Sequence, residues 1–351
     1  MNIKTKVLLV GLLVFLWVAF FVWWKTEREA FNSVASNSNI IVDFEAREGD
    51  GSTEVGEELQ KAGLIKHRWY FYYYVWKTKT DSKLQAGTYE LSPNMKIEEI
   101  VNKMTRGEVK LKTVKLVVPE GFNNQKIIKL LKEKKPELAE RFQELAMCQC
   151  LNQPDCECDS FSQKFDFIKQ LPKGVNLEGY LFPDTYFIEE SDTAESLMAK
   201  FLTNFERKIN QDLLSLIKKQ KKDLHEVLTM ASIVEREANN EIDRKLVAGI
   251  LWRRIQEDMP LQVDATLSYI LGEDRVKYYN KDIKADSLYN TYTHKGLPPG
   301  PIANPGMEAI LDTLNPEKSD YLFFLSDAQT GEMVYAATIQ EQEQNKKKHG
   351  L

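Results

Sequence analysis

The chain has 351 residues, 43% hydrophobic and 28% charged, with a net charge of −5. That is ordinary globular composition, with enough apolar material beyond the first segment for two domains or so. The acidic balance, and the lack of any long basic stretch with interleaved aromatics, exclude nucleic acid as a partner; the run Lys346–Lys348 is short and reads as a solvated helix end.

The first element is the run VLLVGLLVFLWVAFFVWW, residues 7–24, uncharged and almost wholly apolar. As a helix it is about 27 Å long at ~1.5 Å per residue, close to a hydrocarbon core of ~30 Å. Lys4 and Lys6 precede it, Lys25 follows it, and its tryptophans cluster at the far end as interfacial anchors do. No small-residue cleavage site follows, so the expectation is an uncleaved signal anchor with its amino terminus in the cytoplasm.

Two short modules come next. IIVDF from Ile40 alternates as a strand does, residues 53–77 carry apolar side chains at helical spacing, and LQAGTYEL reads as a strand with a β-turn around Ala86 and Gly87. Within the helical stretch the run Trp69 to Trp76 is almost entirely aromatic, which suits either a helix face packed on a sheet or a platform for sugar rings. In the second module Val114–Val118 read as a strand, Pro119-Glu120-Gly121 as a turn, and Asn123 or Asn124 as a helix N-cap. All four cysteines then fall in CQCLNQPDCECD, as C-x-C-x₅-C-x-C. In an exported domain this spacing favours two disulfides of undetermined connectivity, whereas in the cytoplasm it would suggest zinc, although C-x-C matches the usual knuckle poorly.

From Leu171 onward unusual residues collect in loops. NLEGYLFPDTYFI, LQVDATLSYILG and YNTYTHKGLPPGPIANPG mix aromatics, carboxylates, amides and prolines in ways no amphipathic pattern explains. Prolines 298, 299, 301 and 305 among glycines 296, 300 and 306 predict a stiff loop suited to lining a cleft. Before the last two segments, a helix from about Leu224 to Ala238 puts Leu224, Val227, Met230, Ala231 and Val234 on one face and His225, Ser232 and Arg236 opposite. At ~100° per residue Glu235 and Glu237 fall about 80° to either side of the apolar centre, so periodicity cannot choose between them. Each also suits a solvated flank paired with Arg236 or Arg244.

Five motifs in this order, LEGYLFPDTY (177–186), ASIVERE (231–237), LQVDAT (261–266), YNTY (289–292) and GLPPGPIANPG (296–306), resemble the YceG-like family of endolytic murein transglycosylases. LQAGTY and VPEGF upstream resemble that family's LysM-like region and the strand and turn after it, so the likeness spans most of residues 40–325. The Cys-rich loop looks like an insertion, and GEMVYAATIQEQEQN lacks the histidines that many members carry there.

The resemblance implies an α+β fold. Its parts would be a cytoplasmic tail (1–6), a single transmembrane signal anchor (7–24), a linker (25–38), a small LysM-like α+β subdomain (39–113) and a larger mixed α+β catalytic domain (114–351), the last with the Cys-rich insertion at about 147–160. It also implies a single-pass protein of the inner (cytoplasmic) membrane with its catalytic domain outside. The expected partners are peptidoglycan glycan strands and the membrane, with peptidoglycan synthases as further partners, and no cofactor or metal is expected at the site.

The family's catalytic glutamate matches Glu237. Protonated, it would give its proton to the oxygen linking N-acetylmuramic acid to N-acetylglucosamine while the muramic C6 hydroxyl closes on C1, and would then accept that hydroxyl's proton. Such an acid must titrate well above ~4.3, which requires burial against apolar walls. Leu297, Pro298 and Tyr292 are the expected wall. Gln262, Asp264, Tyr289 and Asn290 are expected to hydrogen-bond sugar groups, and Glu178 or Asp184 to contact sugar or fix a neighbouring loop; for each of these, capping of loop backbone is the competing expectation. Two rivals differ in class. One is a catalytically silent peptidoglycan-binding scaffold for cell-wall synthases. The other is a zinc hydrolase built on the cysteines, which the scattered histidines 67, 225, 294 and 349 do not support.

Overall fold

The structure is a computed structural model that describes residues 3–32, 34–110, 113–151, 153, 156, 158, 160–273, 275, 278–327 and 330–349. The chain divides into two compact units, Met1–Lys112 and Thr113–Leu351.

The first unit opens with the long helix α1 (Ile3–Asn32). Its stretch Val10–Arg28 is long and apolar enough to cross a membrane. The large apolar side chains described between Leu8 and Trp24 are 45% to 76% exposed, so no protein core accounts for them. A mixed helix and strand fold follows, with β1 (Val42–Ala46), α2 (Ser52–Lys61), α3 (Arg68–Thr78), β2 (Gly87–Leu91) and α4 (Ile97–Arg106). The two strands pair antiparallel from Val42 with Leu91 to Ala46 with Gly87. Alternation along them turns Phe44, Ala46, Tyr89 and Leu91 inward onto Leu59, Phe71 and Ile100 of the helices.

Two expectations are corrected here. Residues 53–77 form two helices, because Gly63 takes a positive φ of 68° and the amide of Leu64 turns back to the carbonyl of Leu59 at 2.9 Å, which stops the first helix. No β-turn forms around Ala86 and Gly87; the chain there is extended and Gly87 already belongs to the strand. The aromatic run is divided by its helix. Phe71 and Tyr74 enter the core, while Trp69 and Trp76 remain 70% and 74% exposed.

In the second unit β3 (Thr113–Val117) pairs antiparallel with β4 (Thr185–Glu189), bringing together segments that lie on either side of the Cys-rich loop. Between them come α5 (Asn124–Lys134) and α6 (Pro136–Ala146). Asn123 is the N-cap of α5, its side chain accepting the amide of Lys126 at 2.9 Å. The loop after α6 closes with disulfides Cys148–Cys158 and Cys150–Cys156. After β4 run α7 (Ala194–Lys208), α8 (Gln211–Lys219), α9 (Leu224–Glu237), α10 (Glu241–Gln256), α11 (Asp264–Leu271), α12 (Asn280–Ile283) and α13 (Met307–Leu314). The strands β5 (Phe323–Ser326) and β6 (Met333–Ala336) pair antiparallel, and α14 (Ile339–Lys348) packs on them.

Helix α9 serves both apolar cores of this unit. Val227, Leu228 and Ala231 join Phe142, Phe201 and Phe205 in one, and Met230, Ile233 and Val234 join Val247, Leu251 and Leu261 in the other. Gly249 lets α10 touch the segment after α13, since a Cβ there would stand 2.2 Å from the backbone oxygen of Glu317. Gly249→Ala is therefore expected to destabilise the protein by about 1–3 kcal/mol through overpacking against backbone that cannot swing aside. Urea unfolding of the two proteins measures this, and equal midpoints would show that the two segments separate freely.

Candidate active site

Helix α9 is capped by Asp223, whose side chain accepts the amide of Glu226 at 2.8 Å, and every residue from Val227 to Val234 is buried. The expected polar face is thus covered at Ser232 and partly covered at His225 and Arg236, and polar groups buried in this way must find partners. Ser232 is 0% exposed and accepts the amide of Ile302 at 3.0 Å. His225 meets the carbonyl of Pro299 with Nε2 at 2.8 Å, so that nitrogen carries the hydrogen, and Nδ1 accepts from the Tyr180 hydroxyl at 2.9 Å. Glu235 accepts the amide of Gly306, the N-cap of α13, at 3.0 Å. Three side chains of α9 therefore hold the proline-rich loop by its backbone at three places.

Glu237 is the last residue of α9 and is half-buried. Its Oε1 accepts the amide of Ala265 at 3.1 Å, in the first turn of α11. Among the described residues no hydrogen bond reaches its other oxygen. Burial pushes this carboxyl up to about 7; the Ala265 amide opposes the rise, the charge of Asp264 adds to it, and Arg236 draws it down. Glu235 is also raised by burial, with the Gly306 amide opposing, Glu120 and Glu308 adding and Arg244 drawing down. The two glutamates, both on α9, thus meet the N-terminal ends of different helices. Glu235 lies near Glu120 and Glu308 beside α13, and Glu237 meets the Ala265 amide near Asp264 at α11.

The other expected site residues fall into two groups. Gln262 and Asp264 are exposed and Tyr289, Tyr292 and Leu297 half-buried, so all five have surface to offer. Gln262 takes a positive φ of 53°, and its amide goes to the carbonyl of Thr291 at 3.0 Å while its side chain accepts from Arg254 at 2.7 Å. Asp264 accepts the Tyr292 hydroxyl at 2.5 Å. Burial, then Asp264, and more weakly Glu237 hold that phenol well above its ordinary range, so it stays a donor. The rings of Tyr289 and Tyr269 lie 5.0 Å apart. Of the expected wall, Tyr292 is within electrostatic reach of Glu237, Leu297 packs on the cluster holding Val234, Ala238 and Ala265, and Pro298 is buried.

The second group turns inward and takes up the competing expectation, the capping of loop backbone. Glu178 is 2% exposed, and both its oxygens face the amide of Asn124, at 3.0 and 3.2 Å. Asn290 is 0% exposed and donates to the carbonyls of Ile283 and Ala285, each at 2.8 Å. Neither leaves an accessible polar atom for a ligand. Asp184 stays at the start of β4, accepting from Thr185 and Asn204 at 2.8 and 3.1 Å.

Three positioning residues escaped the sequence reading. Asn304 accepts the amide of Leu181 at 2.8 Å and donates to Phe122 and Asn124 at 2.9 and 3.1 Å, tying the proline-rich loop to two motifs far off in sequence. Thr291 holds the turn before α11 through the amide of Val263 at 3.1 Å. Buried Arg254 orients Gln262. Only the amides and threonine within quoted motifs hinted at the first two, and nothing at Arg254.

A cleft of about 270 Å³ opens beside these groups, with Arg236, Ala265 and Tyr269 in its lining. One carboxyl that titrates near neutrality, an amide fixing one of its oxygens, and a cleft reached through the same alanine together define a site able to lend and recover a single proton. The chain belongs to the YceG-like family, whose model matches residues 44–348. It is 33% identical to a Bacillus subtilis (strain 168) protein named endolytic murein transglycosylase, over 92% of this chain and 88% of that one. A Streptococcus pneumoniae (strain ATCC BAA-255 / R6) protein of the same name is 32% identical over 90% of this chain, which spans only 60% of that protein's length. The crystal structure of a putative yceG-like protein from Listeria monocytogenes is also similar, with 33% identity and a TM-score of 0.58 over 88% of this chain and 100% of that one.

Burial pushes the Glu178 carboxyl up to about 8 from its ordinary 4.5, against the Asn124 amide and the Tyr269 hydroxyl. A folded pKa above the unfolded one means that the stability from the neutral acid is complete below about 4.5 and is lost as pH rises to about 8. Glu178→Gln keeps an acceptor for Asn124 but does not titrate. Its melting temperature is expected to fall less between pH 5 and pH 8 than that of the unaltered protein. Parallel melting curves across this range would contradict the assignment.

Proposed function

We propose that this protein is a membrane-anchored lytic transglycosylase that cuts the β-1,4 bond between N-acetylmuramic acid and N-acetylglucosamine within peptidoglycan strands, leaves 1,6-anhydro ends and so limits the length of nascent strands. The observation that carries this reading is Glu237, half-buried, held by one oxygen and raised to about 7. Most glycosidases set two carboxylates across the bond, one of them serving as nucleophile or as base for water. An intramolecular nucleophile makes the second unnecessary. Glu237 protonates the glycosidic oxygen, the bond from that oxygen to C1 breaks with oxocarbenium character at C1, the muramic O6 bonds to C1, and the O6 proton returns to Glu237. The hydroxyl is already tethered to the reacting carbon, so proximity supplies rate that a captured water would lack.

In this reading α1 is the anchor, the second unit lies on the extracytoplasmic side and the first unit is the LysM-like module, supported by its small α+β make-up and the exposed Trp69 and Trp76. Gln262, Asp264, Tyr289 and Tyr292 are its sugar-contacting residues. Glu178 and Asn290 act by holding loops, and Leu297 and Pro298 contribute the apolar wall. Cell-wall synthases are the fitting protein partners for a strand-length function.

Digestion of purified sacculi followed by mass analysis of the products tests the reaction. Anhydro-muropeptides are the expected result, whereas reducing ends would identify a hydrolase and the absence of products a scaffold. Glu237→Gln is expected to lower product formation by at least about 10²-fold, the lower range of general acid–base contributions, and Glu235→Gln to retain far more activity. The reverse order would place the acid at Glu235. Because the donor must be protonated, the rate should decline as pH rises through about 7, and a rate that is flat from pH 6 to pH 9 would exclude Glu237 as the donor.

A further inference from the structure

Among the described residues, Tyr269 supplies the only aromatic ring in the lining of the cleft beside Glu237. Helix α11 turns one stripe toward this cleft, Ala265, Ser268 and Tyr269 with the C-cap Gly272, at the i, i+3, i+4, i+7 spacing of a single helix face. Ala265 holds Glu237, and Tyr269 stands one turn further on, about 6 Å along the axis at ~1.5 Å per residue. Behind the ring is a buried acid that the proton transfer does not use. Glu178 is hydrogen-bonded to the Tyr269 hydroxyl, to the backbone amides of Asn124 and Gly179 and to the side-chain amide of Asn304. The N–H groups of the last three can only donate. Ionised, Glu178 accepts from Tyr269; neutral, its own O–H has the Tyr269 oxygen as its one acceptor among these groups, so the bond persists in either state. On its other side the ring meets Tyr289, with centroids 5.0 Å apart. Tyr269 is half-buried, so part of the ring stays open although its end is tied.

We infer that Tyr269 is the platform on which a sugar ring next to the scissile bond rests, and that Glu178 is the positioning residue that sets the plane of that platform. The inference rests on the transglycosylase reading and adds to it the residue that receives a neighbouring sugar. The C–H face of a pyranose is apolar and lies well on an aromatic ring. Such a contact needs room, and Gly121 and Gly272, at positive φ of 75° and 71°, leave two stretches of the cleft wall without side chains. A tyrosine tied at its far end has little freedom left to lose when a sugar lands on it, which is the gain from preorganisation. Glu178 also bonds Asn124 at the start of α5 and Asn304 of the proline-rich loop, and both of these elements contribute to the same cleft lining. One buried acid therefore holds the platform in register with two other walls.

Binding of soluble, peptide-free glycan strands to the full chain in detergent tests this, in the Glu237→Gln background so that strands are not consumed. Tyr269→Ala is expected to weaken binding about tenfold, and Tyr269→Phe, which keeps the ring but frees its end, only about two- to threefold. Unchanged affinity in Tyr269→Ala, or equal losses in the two variants, would overturn the platform. Glu178→Ala should weaken binding about two- to threefold with Tyr269 present and not at all in the Tyr269→Phe background, where the tie is already absent. Equal weakening in both backgrounds would overturn the positioning role. Glu178→Gln can still bond the tyrosine and is expected to keep the affinity within about twofold; a tenfold loss there would also overturn that role, and this variant decides if melting shows that Glu178→Ala is unfolded. With Glu237 intact, Tyr269→Ala should raise KM about tenfold and leave kcat within about twofold, as the loss of uniform binding does. Strand binding that depends on Tyr269 without anhydro products from the unaltered protein would reject the transglycosylase reading and keep the platform. Anhydro products with a KM indifferent to Tyr269 would do the opposite.

Discussion

The architecture of the site depends on one constraint, that α9 is buried from Val227 to Val234 and yet carries polar residues there and at its partly buried ends. A buried polar atom without a partner costs about 1–3 kcal/mol, so each must be matched. Here the matches are backbone groups of the proline-rich loop and of the first turn of α11. Ser232, His225 and Glu235 take Ile302, Pro299 and Gly306, and Glu237 takes Ala265. The same hydrogen bonds that make burial of the helix tolerable also fix the walls around the acid. Losing any one of them would both strand a buried group and loosen the site.

Proline and glycine complement this arrangement. The segment 296–306 has few backbone donors because four of its residues are prolines, and the donors at Ile302, Asn304 and Gly306 are all satisfied, by Ser232, Phe122 and Glu235. Gly179 takes a positive φ of 86° and has the ring of Pro301 where a Cβ would be, so the LEGY turn and the loop approach as closely as their backbones allow. Asn304 then joins both to the segment after β3. Three stretches that lie far apart in the chain become one rigid surface.

The legible part of this lay in local patterns. The apolar run of α1, the strand from Thr113, the Asn123 cap and the helix that ends at Glu237 follow from periodicity and capping chemistry. The choice of Glu237 came from resemblance alone, since a helical wheel places both glutamates at the same boundary and their difference arises from partners at Ala265 and Gly306. The inward turn of Glu178 was illegible for the same reason, whereas Asn290 bonds to the nearby carbonyls of Ile283 and Ala285, the local capping that was the competing expectation. A carboxylate in a loop motif reads as a ligand contact until the amide of Asn124, distant in the chain, is known to occupy it. The break at Gly63 was legible in principle, because a glycine within an apolar-periodic stretch is a common helix stop.

The rigidity has a consequence for how such a site would work. Glu237 is useful near neutrality only while its surroundings stay desolvated, and the groups that desolvate it are held by hydrogen bonds present before any substrate arrives. Tyr292 shows how this is secured. Its hydroxyl donates to Asp264 and remains neutral, so the negative charge that helps raise Glu237 is kept in place. That arrangement makes the acid's proton affinity a property of the folded loops, with little left for a substrate to induce.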